Sequence, residues 1–359
     1  MSSDVEFSVS GGIGRITLNR PKARNALTTG MVIAIKEQLD AWDLDPAVRA
    51  AVVIGAGDHG LCAGGDVRDM QASAIRGDDG AAEFFRAEYR MNARIHQFSK
   101  PYISIMDGLA MGGGIGVSAH GSVRIVTERS LLAMPEVTIG ICVDVGATWL
   151  LARAQGEVGT YLALTGSTFG PGDAIYCGFA DYFIPVADLA KFLQGMETDA
   201  TADSDDDAEA EIESVESLLA EFSQDPPESR LEAARDWIDD CFSFDTVAEI
   251  LNALDEYPLP EATETAALIR SKSPSAVAVT LEALRRARVT DSLEQALETE
   301  FAVSCFLMYQ HDAIEGIRAL IVDKDRNPQW QPPTNAGVTR AYVEAAFEPS
   351  VYGTLGLLA

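Results

Sequence analysis

The sequence predicts an α/β fold whose last third is helical, and three observations carry that expectation. Ala50–Ile54 and Tyr102–Met106 are continuous apolar runs of strand length, the pattern of strands buried on both faces, with helical stretches between them. Val5–Val9 and Gly14–Leu18 alternate with period two around Ser10-Gly11-Gly12, a hairpin signal. Beyond Arg230 the apolar spacing is helical throughout.

Taken in order, the hairpin is followed by Thr28, which caps a predicted helix to Trp42 with Ile35, Leu39 and Trp42 on one face. The strand 50–54 ends at Gly55, a polar helix follows around 81–98, and the strand 102–106 leads to a glycine-rich turn that opens a helix at Gly112. No basic residue lies between Lys191 and Arg230, whereas 13 acids fall from Glu197 to Glu228. Such a charge run is usually a solvated loop and helix face rather than a binding tail. Within it, Ile212, Val215, Leu218, Leu219 and Phe222 keep helical spacing and predict an amphipathic helix. The acid-rich run 199–211 lacks large apolar residues and is expected to bury little. Ser273 or Ser275 can cap 276–288, with Pro274 near the first turn. Asp291-Ser292 opens a long helix carrying Leu293, Leu297 and Phe301 on toward Ile314, Ile317 and Ile321. The expected partition is a core over 1–190, an acidic helical insertion over 191–272 and a helical region over 273–359.

Composition narrows the function. With 359 residues, 47% hydrophobic and 23% charged, the chain has the balance of a folded enzyme-sized protein. No window of about 18 residues is apolar and uncharged, so no membrane-spanning helix is expected. A net charge of −28 argues against a nucleic-acid partner, because phosphate contacts need a basic face. Cys62, Cys142, Cys177, Cys241 and Cys305 are scattered without a C-x-x-C, which argues against a disulfide framework and a zinc site. His59, His96, His120 and His311 show no ligand pairing either, so no metal is expected. The start of the chain has neither a basic-then-apolar nor an Arg/Ser-rich leader pattern, and a cytoplasmic location is the expectation.

Three segments could carry chemistry. The stretch 131–152 is almost wholly apolar except for Glu136 and Asp144. Burial raises a carboxyl pKa, so both acids read as tuned catalytic groups or as turn residues that satisfy backbone amides. Gly112-Gly113-Gly114 at a helix start leaves N–H groups open to a ligand. Gly112 and Gly116 would equally let two backbones pack closely. The loose dinucleotide fingerprint Gly114-x-Gly116-x-x-Ala119 and the elbow-like Gly116-x-Ser118-x-His120 both lack essential parts of those motifs. Cys62-Ala63-Gly64-Gly65-Asp66 offers a second set of free amides, with Asp66 able to cap the segment after it and Cys62 reading as a core or loop thiol.

Two glycine loops, each after a buried strand, and a Pro-Glu after a third resemble the crotonase (enoyl-coenzyme A hydratase/isomerase) superfamily. The carrying segments are 19–27 (NRPKARNAL), 62–70 (CAGGDVRDM), 111–140, 143–147 (VDVGA) and 315–330 (EGIRALIVDKDRNPQW). The last of these is similar to the 3-hydroxyisobutyryl-coenzyme A hydrolase branch. The resemblance implies a ββα spiral core with a C-terminal helical region. It implies hydrolysis of a short 3-hydroxyacyl thioester, as in valine breakdown, with no cofactor because coenzyme A is part of the substrate. Enoyl-CoA hydratase or isomerase activity, or silent CoA-ester binding, are the alternatives. By residue, it implies an oxyanion hole from the N–H groups of Gly65 and Gly113, and Glu136 and Asp144 as catalytic acids. Glu88 joins Gly113, Glu136 and Asp144 in substrate binding, and Arg24, Ala26, Leu27, Ala63, Gly64, Gly65 and Asp66 bind coenzyme A. Gly116 stands where hydratases place their first catalytic glutamate. The chain departs from the hydrolase pattern at Val143, usually proline, and Ala147, usually glycine. No membrane or nucleic-acid partner is implied; a homo-oligomer is compatible.

Overall fold

A computed structural model describes residues 4–199 and 208–358, so most of the acid-rich run 199–211 lies outside the described residues. The chain forms two compact units, each assembled from three separated segments. The first comprises Met1–Gly65, Arg90–Leu132 and Phe169–Ser229; the second comprises Asp66–Tyr89, Ala133–Thr168 and Arg230–Ala359. Both units thus draw on the stretch 1–190.

In the first unit the six-stranded sheet has the order β1 (Val5–Ser10), β2 (Ile13–Leu18), β3 (Ala50–Gly55), β5 (Tyr102–Met106), β7 (Val123–Val126) and β9 (Tyr182–Phe183). A second sheet orders β4 (Gly60–Cys62), β6 (Leu109–Met111) and β8 (Leu131–Ala133). β1 and β2 form the expected hairpin, Ser10 opposite Ile13, with Gly11 and Gly12 both at positive φ as a two-residue turn demands. The remaining pairs of the large sheet are parallel. β3 is central, and Ala50 through Val53 are buried on both faces, as a continuous apolar run implies. One face packs Ala50, Val52, Ile103, Ile105 and Ile125 against Leu189, Phe192 and Met196 of the helix Val186–Asp199. Val215, Leu218 and Leu219 of the helix Ala208–Phe222 join the same core. The apolar stripe in the acidic segment is therefore a docked helix face. Thr28 caps the helix Thr29–Leu44 by accepting from the Met31 amide (3.3 Å), and Ile35, Leu39 and Trp42 are buried as expected.

The second unit is mainly helical. Ser273, not Ser275, caps Pro274–Ala287, and Ser292 caps Leu293–Met308. The long helix expected to continue toward Ile321 instead stops at Tyr309; a new helix runs His311–Ile317 and passes into a π turn over Arg318–Val322. The segment 315–330 that carried the branch resemblance is a structural hub. Arg318 pairs with Glu315 (2.8 Å), Asp323 (2.8 Å) and Asp325 (2.6 Å), and Glu315 also accepts from the Gln329 amide (2.8 Å). Among the described residues no helix is long and apolar enough to cross a membrane, and no His/Cys/Asp/Glu group could hold a metal ion. All five cysteines are free and buried.

Candidate active site

In the first unit, β4 and β6 run parallel with Cys62 opposite Ala110, so the loops beyond them leave neighbouring strands in one direction. Gly112 adopts φ 50°, ψ −119°, which side-chain-bearing residues avoid, and this turn starts the short helix Gly113–Gly116. The two loops touch: a Cβ on Gly114 would lie 2.3 Å from the Cys62 carbonyl oxygen, and one on Gly64 would lie 3.8 Å from the Gly113 nitrogen. Among the described residues, the amides of Gly65 and Gly113 meet no hydrogen-bond acceptor. An unpaired N–H at a buried helix start needs a partner, which an oxygen of a ligand would supply.

The loop over 24–27, for which the resemblance implies coenzyme A binding, is built onto the same place. Leu27 donates to the Gly64 carbonyl (2.9 Å), Ala63 donates to the Arg24 carbonyl (3.0 Å), and Leu27 bridges Gly65 in parallel. Leu27 is fully buried, so its side chain anchors the loop, while Ala26 is half-buried and the Arg24 side chain is exposed without an ion pair among the described residues. The organiser of this loop is Asn25, which sequence reasoning missed. It is wholly buried at φ 57°; its side chain accepts from the Arg20 amide (3.0 Å) and donates to the carbonyls of Ala56 (3.0 Å) and Gly60 (3.1 Å). Ser118 Oγ donates to the Gly114 carbonyl (2.6 Å), the role of a helix residue and not of a nucleophile. A separate cavity of about 400 Å³ in this unit is lined by Asp58, His59, Asp107, Arg129 and neighbouring apolar residues; no residue assigned above lines it.

Four of the second unit's buried carboxyls bear on one another electrostatically: Glu88 (2% exposed), Glu136 (5%), Asp144 (5%) and Glu300 (2%). Glu136 opens a 3-10 turn after Pro135, and Gly140 at φ 83° packs against the Asp312 backbone as the chain turns back toward Asp144. The Tyr89 hydroxyl donates to Asp144 Oδ2 (2.5 Å) and is hydrogen-bonded to the Ser304 hydroxyl (2.8 Å). Glu300 accepts from the Gly146 amide (2.6 Å), the Thr148 amide (3.1 Å) and the Thr148 hydroxyl. By contrast Glu136 Oε2 and Glu88 Oε1 are buried without a hydrogen-bond partner. Leaving such atoms unpaired costs roughly 1–3 kcal/mol each. Two acids are therefore tied down by protein groups, and two present an oxygen that a substrate or water would satisfy.

Burial pushes all four acids up. Asp144 rises to about 7 against the Tyr89 hydrogen bond, and Glu300 to about 8 against its bonds from Thr148 and Gly146. Glu88 and Glu136 rise well above their ordinary values, first by burial and then by the charge of Asp144. A carboxyl poised near neutrality is what proton transfer at neutral pH requires. Stability should record the same strain. Folded, Asp144 holds its proton to about pH 7; unfolded, only to 3.8. Between those values the folded chain binds more protons, so ionisation destabilises it as pH rises from about 4 to 7, with the full cost above 7. Asp144→Asn, which keeps an acceptor for Tyr89, should stabilise the chain near pH 8 by up to about 4 kcal/mol and near pH 4 by little. Denaturant midpoints at the two pH values check this; an equal shift at both would assign the effect to packing.

Asp66 begins the helix Val67–Arg76, yet its side chain makes no capping hydrogen bond, contrary to expectation. Asp144 does not cap a helix through its side chain either; that place is taken by Gly146 before Ala147–Leu151. Tyr89, Thr148, Glu300 and Ser304 were not singled out by sequence. For two of them a signal existed, since Glu300 and Ser304 fall on the same helical stripe as Leu293, Leu297 and Phe301.

Comparison with known proteins gives the same family. The profile of the enoyl-CoA hydratase/isomerase family matches residues 13–347. The Gallus gallus protein named 3-hydroxyisobutyryl-CoA hydrolase, mitochondrial, is 35% identical over 350 residues, 97% of this chain and 89% of that protein. The Homo sapiens protein of that name is 37% identical over 339 residues, 94% and 86%. A solved carnitinyl-CoA dehydratase from Mycobacterium thermoresistibile superposes with a TM-score of 0.92 at 47% identity, covering both chains fully. An enoyl-CoA hydratase from Rhodobacter sphaeroides 2.4.1 gives 0.87 at 39%, covering 98% of this chain and 99% of its own. The mixed fold with a parallel sheet, the paired glycine loops and matches over nearly the whole length agree, and the chain belongs to the enoyl-CoA hydratase/isomerase (crotonase) family.

Proposed function

We propose that the chain hydrolyses a short 3-hydroxyacyl-CoA thioester, 3-hydroxyisobutyryl-CoA being the substrate that its relatives' names support. The observation that carries this reading is the contrast between Glu136 and Asp144, both buried, one with an unpaired oxygen and one held by Tyr89. The Gly65 and Gly113 amides take the thioester oxygen as it becomes anionic, each donor being worth about 3–4 kcal/mol in such sites. Glu136 either attacks the carbonyl, giving a mixed anhydride that water then hydrolyses, or takes a proton from a water whose oxygen attacks the carbonyl. In both routes the C–S bond breaks, the thiolate of coenzyme A takes up a proton that water has given up, and the acid is released. A carboxylate with a raised pKa is a stronger base once ionised, which suits either route. Asp144 accepts the substrate's 3-hydroxyl, Glu88 adds a second polar contact, and the loop from Arg24 to Leu27 carries the coenzyme A.

A second reading is hydration or dehydration of a related ester, favoured by the name of the 47% identical structure. Gly116, buried in the short helix after Gly112, supplies no carboxylate at the position where hydratases place one.

The test separates the two acids. A buried carboxylate that accepts a hydroxyl discriminates against the analogue lacking it, because its charge is then left unpaired. Asp144→Ala should shrink the preference for 3-hydroxyisobutyryl-CoA over isobutyryl-CoA by more than about tenfold, about 1.4 kcal/mol. Glu136→Ala should lower both rates and leave the preference little changed. Equal slowing of both esters by Asp144→Ala would move hydroxyl recognition elsewhere and leave Asp144 to orient water or Glu136.

A further inference from the structure

We propose that Glu300 and Ser304, one turn apart on the helix Leu293–Met308, are positioning residues that hold Asp144 from two sides. Glu300 acts on the backbone. Residue 145 is a valine at φ 55°, followed by Gly146 at φ 77°. A β-branched side chain in the left-handed region is strained and persists only where its surroundings enforce it. The Glu300 carboxylate supplies that enforcement, taking the Gly146 amide on one oxygen and the Thr148 amide and hydroxyl on the other. Three donors from Gly146 and Thr148, just beyond Asp144, converge on one buried acid, and this fixes where the chain leaves Asp144. Ser304 acts on the side chain: its hydroxyl is hydrogen-bonded to Tyr89, which donates to Asp144 Oδ2. Phe301, between the two on the same helix, closes edge-on against the Tyr89 ring at 6.4 Å. Backbone and carboxylate of Asp144 are thus both referred to one rigid helix.

The strain at Val145 makes this testable apart from general stability. Glycine adopts the left-handed region without cost, so Val145→Gly should remove the need for Glu300. Glu300→Gln loses one of the acceptor oxygens and turns an amide donor toward donors. It should lower kcat on whichever CoA ester the wild-type chain consumes by on the order of 10²-fold, KM changing little. Adding Val145→Gly should restore about tenfold or more of that loss. In a chain already carrying Asp144→Ala, Glu300→Gln should cost little more, because the two residues act as one unit. Ser304→Ala should give a smaller loss, likewise absent in the Asp144→Ala background. Hydrogen exchange of the 143–148 segment supplies a readout independent of activity: faster in Glu300→Gln, slow again with Val145→Gly.

The inference rests on Asp144 serving the reaction but not on which reaction that is, so an inactive thioesterase assay would sink the proposed hydrolysis while exchange still judges the splint. Unchanged exchange in a folded Glu300→Gln chain overturns the proposal. So does a loss that adds in full to that of Asp144→Ala, or one that Val145→Gly leaves unrepaired.

Discussion

Glu136→Gln should lower thioester hydrolysis by about 10²–10⁴-fold, the range for removing a positioned acid–base group, with KM little changed. The substitution keeps the shape and one acceptor oxygen, replacing the other oxygen by an amide donor, at a residue that is 5% exposed with one oxygen unpaired. What it removes is the negative charge that attacks or takes a proton. The loss should be equal for esters with and without a 3-hydroxyl, because bond making does not involve that group. Steady-state rates on both esters measure it. A Glu136→Gln chain within about threefold of wild type would show that another group, Glu88 or Asp144, makes the bond, since a true catalytic acid costs at least 10².

The second large effect belongs to the proposed oxyanion donors. Gly113 is the first residue of its helix, a position where proline fits because no helical hydrogen bond is lost there. Gly113→Pro deletes an N–H that meets no acceptor among the described residues and should lower kcat by about 10²–10³-fold. Gly65→Pro should do the same at the neighbouring loop. Gly113→Ala keeps the donor and serves as the packing control, and circular dichroism verifies folding. Proline and alanine variants that lose activity equally would assign the effect to the close approach of these loops instead of to the amide.

Much of the fold was legible because local chemistry determined it. Two glycines between alternating strands fixed the hairpin, and Thr28, Ser273 and Ser292 mark helix starts by side chains that accept from amides three residues on. The break at Tyr309 was not legible: no glycine or proline marks it, and the apolar spacing runs on past it. Nor was the division into units, since each is assembled from three distant segments that no local pattern links. At the site, Glu136 and Asp144 stood out as charges in an apolar stretch. Glu300 sat among so many other acids that its place on a buried stripe went unmarked, and no local pattern singles out Tyr89, whose hydroxyl meets Asp144 only through the fold. Asn25 belonged to a loop read by resemblance, which identifies a contact region without saying what holds it in shape.

One measurement bears most directly on the reading of this chain as a thioester hydrolase. The purified protein is given 3-hydroxyisobutyryl-, 3-hydroxypropionyl- and crotonyl-CoA, and both free thiol and loss of the conjugated double bond are followed in the same samples. Hydrolysis predicts free thiol from 3-hydroxyisobutyryl-CoA, with crotonyl-CoA left unsaturated. Loss of the double bond from crotonyl-CoA, with no thiol released from any of the three, would contradict it and make the chain a hydratase.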